Sequence, residues 1–145
     1  MRLAPIPAIL AVLAALAPTA PAAQQAEEGA GPGGLSIELN AARDGAGGCT
    51  LSFVITNGGA EAVEKAVFET VLFDTGGQVD RLTLFDFGAL PAGRPRVRQF
   101  TLPDTSCGGI GRILVNGVST CEAAQDDACS AGLTLSTRTD IEVVG

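Results

Sequence analysis

The segment Cys49–Asn57, CTLSFVITN, places Cys49, Leu51, Phe53 and Ile55 on one parity and Thr50, Ser52, Val54 and Thr56 on the other. Successive side chains of an extended chain point to opposite faces, so this spacing suits a half-buried β-strand and conflicts with the period of a helix. The same pattern recurs along the chain. Leu35–Ala41 alternates Leu35, Ile37 and Leu39 with Ser36, Glu38 and Asn40, and Gly132–Val144 alternates Leu133, Leu135, Thr137, Thr139, Ile141 and Val143 with its other positions. Between them, Ala66–Asp74, Val79–Phe87, Arg96–Leu102 and Ile110–Thr120 are rich in β-branched and apolar residues. Turn residues at Asp44–Gly48, Asn57–Gly59, Asp74–Gly77 and Asn116-Gly117 punctuate these segments, as hairpins and strand breaks require. Ala66–Asp74 is apolar on both faces, which predicts a central strand covered on most of both sides. Only Ala60–Val67 predicts a helical turn. Seven short strands at close spacing predict an all-β fold, a seven-stranded antiparallel β-sandwich.

The stretch Leu51–Leu102 reads LSFVITNGGAEAVEKAVFETVLFDTGGQVDRLTLFDFGALPAGRPRVRQFTL. It runs a strand, an Asn-Gly turn, a strand ending in LFD before a glycine turn, and a leucine-proline-glycine crossover. In this it resembles the bacterial immunoglobulin-like modules of the CARDB and FxLYD kind, and the whole chain is similar to uncharacterised small secreted bacterial proteins. The resemblance implies an immunoglobulin- or fibronectin-III-like sandwich and no activity. In such a sandwich the strands at 35–41, 49–57 and 96–102 form one sheet and those at 79–87, 66–74, 110–120 and 132–144 the other. Cys49 and Cys107 then lie at one end of the two central strands, with Cys49 on the inward parity, and Cys121 and Cys129 flank one hairpin. The arrangement implies the disulfides Cys49–Cys107 and Cys121–Cys129.

The first residues read as an export signal. Met1-Arg2 precedes an apolar run, Leu3–Leu16, and small residues with Ala20 and Ala22 in signal-peptidase spacing, which predicts a signal peptide over 1–22. The run is shorter than the about 20 apolar residues a membrane span needs. A glycine-rich stretch over 23–34 reads as a flexible leader, and 35–145 as a single domain. Sec-type export to the periplasm or the exterior fits four cysteines, an even number without the C-x2-C spacing of zinc knuckles or redox motifs.

Charge and residue types narrow the chemistry. A net charge of −7 repels nucleic acid and anionic membrane surfaces, and no membrane anchor is expected after signal cleavage. Histidine is absent, which removes the commonest general base and a leading metal ligand; no catalytic residue, metal site or cofactor is expected. Asp74, Asp80, Asp86, Glu122, Asp126 and Asp127 read as solvated acids at strand ends and turns. The loop carrying Glu122, Asp126 and Asp127 lacks the D-x-[DN]-x-[DN]-G run of a calcium loop. Glu69, inside an apolar strand, reads as a structural ion pair with an arginine such as Arg112. CGGIGR (Cys107–Arg112) is followed by β-branched residues, where a phosphate cradle needs a helix.

Arg94, Arg96 and Arg98 form the one basic cluster on this acidic chain. Alternate positions of a strand share a face, so they make a candidate binding patch for an anion or an acidic partner. Pro95, Arg96 and Arg98 equally suit an edge strand protected against pairing with other chains, with Asp80 and Asp86 as possible ion partners, and this second reading is preferred. The functional expectation is an exported non-enzymatic β-sandwich acting as an interaction or accessory module for an unknown protein partner. The alternative is a small-ligand or anion-binding protein using the arginine strand.

Overall fold

A computed structural model describes residues 33–145; the expected signal peptide and nearly all of the leader lie outside them. Eight strands follow in order: β1 (Leu35–Gly45), β2 (Gly48–Asn57), β3 (Val63–Asp74), β4 (Val79–Leu90), β5 (Arg96–Leu102), β6 (Ile110–Ala123), β7 (Thr134–Thr137) and β8 (Glu142–Val144). They form two four-stranded sheets, ordered β5-β2-β1-β7 and β4-β3-β6-β8. The helical turn expected over Ala60–Val67 is absent; β3 begins at Val63. Apart from a single 3₁₀ turn, Cys107–Gly109, every described element is a strand.

The count is eight rather than seven, and the sheets are mixed rather than purely antiparallel, for one local reason. The final segment is not a single strand. β7 runs parallel to β1, with Ile37 opposite Leu135, and β8 runs parallel to β6, with Ile113 opposite Val143. Between them the Thr139 amide donates to Thr137 Oγ1 at 3.0 Å and the Ile141 amide to Thr139 Oγ1 at 3.1 Å. Such hydroxyl-to-backbone bonds offer the chain an alternative to the ladder. The polar run Thr137–Asp140 therefore crosses from one sheet to the other, while Ile141 stays buried at the crossing.

The inward parity of each strand builds a common core. Leu35, Ile37 and Leu39 of β1 and Leu51, Phe53 and Ile55 of β2 face Phe68 and Leu72 of β3, Phe85 and Phe87 of β4, and Ile113 of β6. Phe53 makes an edge contact with Phe87 at 5.7 Å, and Phe85 stacks on Phe100 at 4.4 Å, so an aromatic cluster ties the two sheets on the β4–β5 side. Both buried polar side chains, Asn57 and Thr70, are bonded. Asn57 donates to the Glu61 and Leu90 carbonyls at 2.8 and 3.0 Å and accepts from the Gly59 amide at 2.9 Å. Thr70 donates to the Thr83 carbonyl at 3.1 Å.

Cys49 is bonded to Cys107 and Cys121 to Cys129. The first links residues 58 apart, from the start of β2 to the turn before β6, and in the loop-entropy account contributes about 4 kcal/mol. The second links residues only 8 apart and contributes about 2.5 kcal/mol.

Candidate functional site

The arginine cluster is divided by the fold. Arg94 is exposed in the loop before β5, and β5 begins at Arg96. That strand is the edge of its sheet. Arg96 lies opposite Ile55 and Arg98 opposite Phe53, both core residues, so the two arginines point toward the space between the sheets rather than outward. Inward-pointing charge on an edge strand opposes pairing with another chain. Arg98 also fastens the two sheets together. Its Nε donates to the Phe87 carbonyl at 2.8 Å, Nη2 to the Ala89 carbonyl at 3.4 Å and Nη1 to the Val97 carbonyl at 3.0 Å. With all three nitrogens on backbone carbonyls, Arg98 closes the side of the sandwich between β5 and β4. Arg96 donates once, to the Pro95 carbonyl at 3.1 Å.

The ion pairs expected for these strands form with other partners. Asp80 pairs with Arg81 at 2.8 Å and Asp86 lies 3.9 Å from Lys65, so neither meets an arginine of β5. Arg112 pairs with Glu142. Glu69 accepts instead from the Asn116 side-chain amide and sits on the outer face of its sheet, because its neighbours on the same parity are Val67 and Val71 while Phe68, Thr70 and Leu72 point inward.

That outer face is the feature the sequence reading missed. Directly opposed residues of adjacent strands share a face. Val71 is opposite Leu82 on one side and Leu114 on the other, and Leu114 is opposite Val144. An apolar row, Leu82–Val71–Leu114–Val144, thus crosses all four strands of the sheet. Leu84 lies beside it, opposite Glu69, and Phe73 opposite Val79. Leu82 and Leu84 are 62% and 56% exposed. No further described strand or helix lies over this face. β3 is central as expected, but the expected cover on both faces is present only on the inner one; Val67 and Val71 are nonetheless buried on the outer face. Polar groups border and interrupt it: Asp80 and Asp86 along β4, Glu69 and Asn116 in the middle, Arg112 and Glu142 at the far end.

The other outer face differs. Thr50 and Thr101 hydrogen-bond at 3.0 Å, Gln99 donates to Ser52 at 2.8 Å, and Glu38 pairs with Arg138 at 2.9 Å. The Asn40 amide on Glu38, with Arg138 beside it, holds that carboxyl below its ordinary range. One apolar pair, Val54 opposite Val97, interrupts this surface.

The sheet edges other than β4 are blunted. β6 leaves register with β3 at Asn116 and again at Ser119, along the stretch that β8 does not cover; such bulges discourage pairing with another chain. β7 and β8 have four and three residues.

Among the described residues, no group of three or more His, Cys, Asp or Glu converges to hold a metal ion. Glu122, Asp126 and Asp127 are exposed in and before the loop stapled by Cys121–Cys129. CGGIGR forms the 3₁₀ turn and the start of β6. An open hollow of about 440 Å³ lies at one end of the sandwich, walled by the β2–β3 loop and the stapled loop, with Asn57, Glu61, Gln125 and Asp127 among its lining. Its buried polar group, Asn57, has its amide already bonded. The polar side chains left free in its lining, Glu61, Gln125 and Asp127, are exposed, unlike the few enclosed polar groups that orient a small ligand. No helix of the described residues is long and apolar enough to cross a membrane.

The chain matches no protein-family model, no curated protein and no solved structure.

Proposed function

We propose that this chain is an exported, non-enzymatic β-sandwich that works as a protein-interaction module, with the outer face of the β4-β3-β6-β8 sheet as its contact surface. The observation that carries the reading is the apolar row Leu82–Val71–Leu114–Val144 with Leu84 at its side. Apolar patches flanked by polar groups are common in protein–protein contacts, and exposed contiguous apolar patches mark interaction sites more often than accident. Blunting at β5, β7 and β8 adds support, since it discourages edge pairing there. Export is supported by two disulfides, which persist in oxidising compartments, and by the signal-like residues 1–22. The immunoglobulin-like assignment is supported by the strand orders β5-β2-β1 and β4-β3-β6.

A photo-crosslinking residue at Leu84, compared with one at Ser52 on the opposite face, tests the reading in intact cells. A discrete protein adduct from position 84 and none from 52 supports it. Equal adducts from both positions, or none from 84, sink it.

A second reading, anion binding at Arg94 and Arg96, has in its favour that neither guanidinium enters an ion pair among the described residues. Titration with inorganic phosphate separates the two, because only anion binding perturbs the backbone resonances of Arg94–Val97 and saturates.

A further inference from the structure

Two Asn-Gly dipeptides, Asn57-Gly58 and Asn116-Gly117, occupy opposite environments. Glycine has no Cβ to shield its own backbone nitrogen, so this dipeptide is the sequence most open to attack of the backbone on the side-chain amide. At Asn57 that attack is blocked. The side chain is 3% exposed and held by three hydrogen bonds. The nitrogen that would attack, that of Gly58, is itself bonded to the Gly34 carbonyl at 3.0 Å.

At Asn116 the side chain is neither buried nor held by a comparable set of bonds. The residue is exposed, and its amide has a single partner, the Glu69 carboxylate. It falls where the ladder skips from Val115 opposite Thr70 to Gly117 opposite Glu69, so it has no counterpart on β3. On its other flank β8 stops at Val144, opposite Leu114. A Cβ placed on Gly117 would meet nothing within 4 Å, which leaves room for a ring to close there.

We propose that Asn116 is a site of spontaneous deamidation and that Asn57 is protected from it. The Gly117 backbone nitrogen, losing its proton to solvent base, attacks Asn116 Cγ. A new C–N bond closes a succinimide, the bond from Cγ to Nδ2 breaks, and nitrogen leaves as ammonia after taking up a proton. Water then adds to one of the two ring carbonyls and opens the ring to aspartate or isoaspartate. No oxidant or reductant is involved. The product exchanges the amide donor beside Glu69 for a second carboxylate, and like charges so placed repel. The isoaspartate form also inserts a backbone carbon into β6. If the apolar face is the contact surface proposed above, on which this consequence alone rests, deamidation is a built-in clock that adds charge to the middle of that surface.

The test is a time course on the full chain at mildly alkaline pH, read by peptide mapping that distinguishes asparagine, aspartate and isoaspartate at both positions. In the folded protein, conversion at Asn116 outpaces that at Asn57 by about tenfold or more, because Asn57 reacts only from opened states. In denaturant the two rates converge. Gly117→Ala, which the open space tolerates, slows conversion at position 116 by about tenfold, since the new Cβ shields the nucleophile. Equal rates at both sites in the folded protein overturn the proposal, as does conversion indifferent to Gly117→Ala. The map involves no binding partner, so failure of the interaction reading leaves this result standing, and the reverse also holds.

Discussion

The outer faces of the two sheets are built on the same number of strands and meet solvent in different ways. On the β5-β2-β1-β7 sheet, Thr50–Thr101, Ser52–Gln99 and Glu38–Arg138 pair across strands. On the β4-β3-β6-β8 sheet the corresponding positions hold Leu82, Val71, Leu114 and Val144. Both sheets need one apolar face to make a sandwich; only the second carries two. The exposed members of the second face, Leu82 and Leu84, add little to folding, since most of their surface remains in water, and they raise the risk of unwanted association. The row crosses the face of the sheet, and the bulges of β6 and the shortness of β8 separate that face from strand-to-strand pairing at that edge.

Substitutions on either side of one strand probe this comparison most strongly. Phe53→Ala removes the ring at the centre of the aromatic cluster and lowers stability by about 3–5 kcal/mol, measured by denaturant unfolding. A loss near zero would mean that the inner face of β2 is not the core. Arg98→Ala comes next. It frees the Phe87 and Ala89 carbonyls and opens the β4–β5 side, with an expected loss of about 1–2 kcal/mol. Arg98→Lys recovers only part of it, because an ammonium cannot fork between two carbonyls. Leu82→Ser with Leu84→Ser changes stability by no more than about 0.5 kcal/mol per site while abolishing the adduct from a crosslinker moved to Val144, at the far end of the same row. A core-sized stability loss from these two would remove the distinction between inner and outer faces on β4.

The smallest effect belongs to the polar face. The folded-state pKa of Glu38 is depressed, by the Asn40 hydrogen bond first and Arg138 after it. A depressed carboxylate contributes stability that is present above its unfolded-state pKa and lost as pH falls through the folded value. Glu38→Gln therefore leaves stability near neutral pH slightly lower and flattens its decline on acidification below the ordinary carboxylate range. An unchanged acid limb would show that Glu38 adds nothing to the acid sensitivity of that face.

Legibility followed the physical origin of each feature. β1 and β2 were readable because strict alternation has one solution when a single face is buried. The β1–β2 hairpin followed from its glycine turn. The last segment reads as one strand in sequence and is two: Leu133, Leu135, Ile141 and Val143 keep the same parity through the crossing, and the hydroxyl-to-backbone bonds of Thr137 and Thr139 that divide it leave no mark on hydrophobic period. Arg96 and Arg98 were correctly placed on one face of an edge strand, but which face depended on their register against Ile55 and Phe53. Their expected partners failed for the same reason: Asp80 and Asp86 lie on the same sheet as Arg81 and Lys65 and met those first.

What the residues determined by themselves was local and periodic: strands, turns, the inward parity of the core, and two Asn-Gly dipeptides of equal intrinsic reactivity. The resemblance anticipated which of the first six strands share a sheet and which cysteines pair; tertiary structure decided what depends on the register of each strand against its neighbours. It turned Val71, Leu82, Leu114 and Val144, distant along the chain, into one row, and it locked one Asn-Gly while leaving the other open. The reason is that periodicity records how a side chain alternates about its own strand, whereas a surface or a protected site is made by neighbours, and neighbours are assigned only when the sheets close.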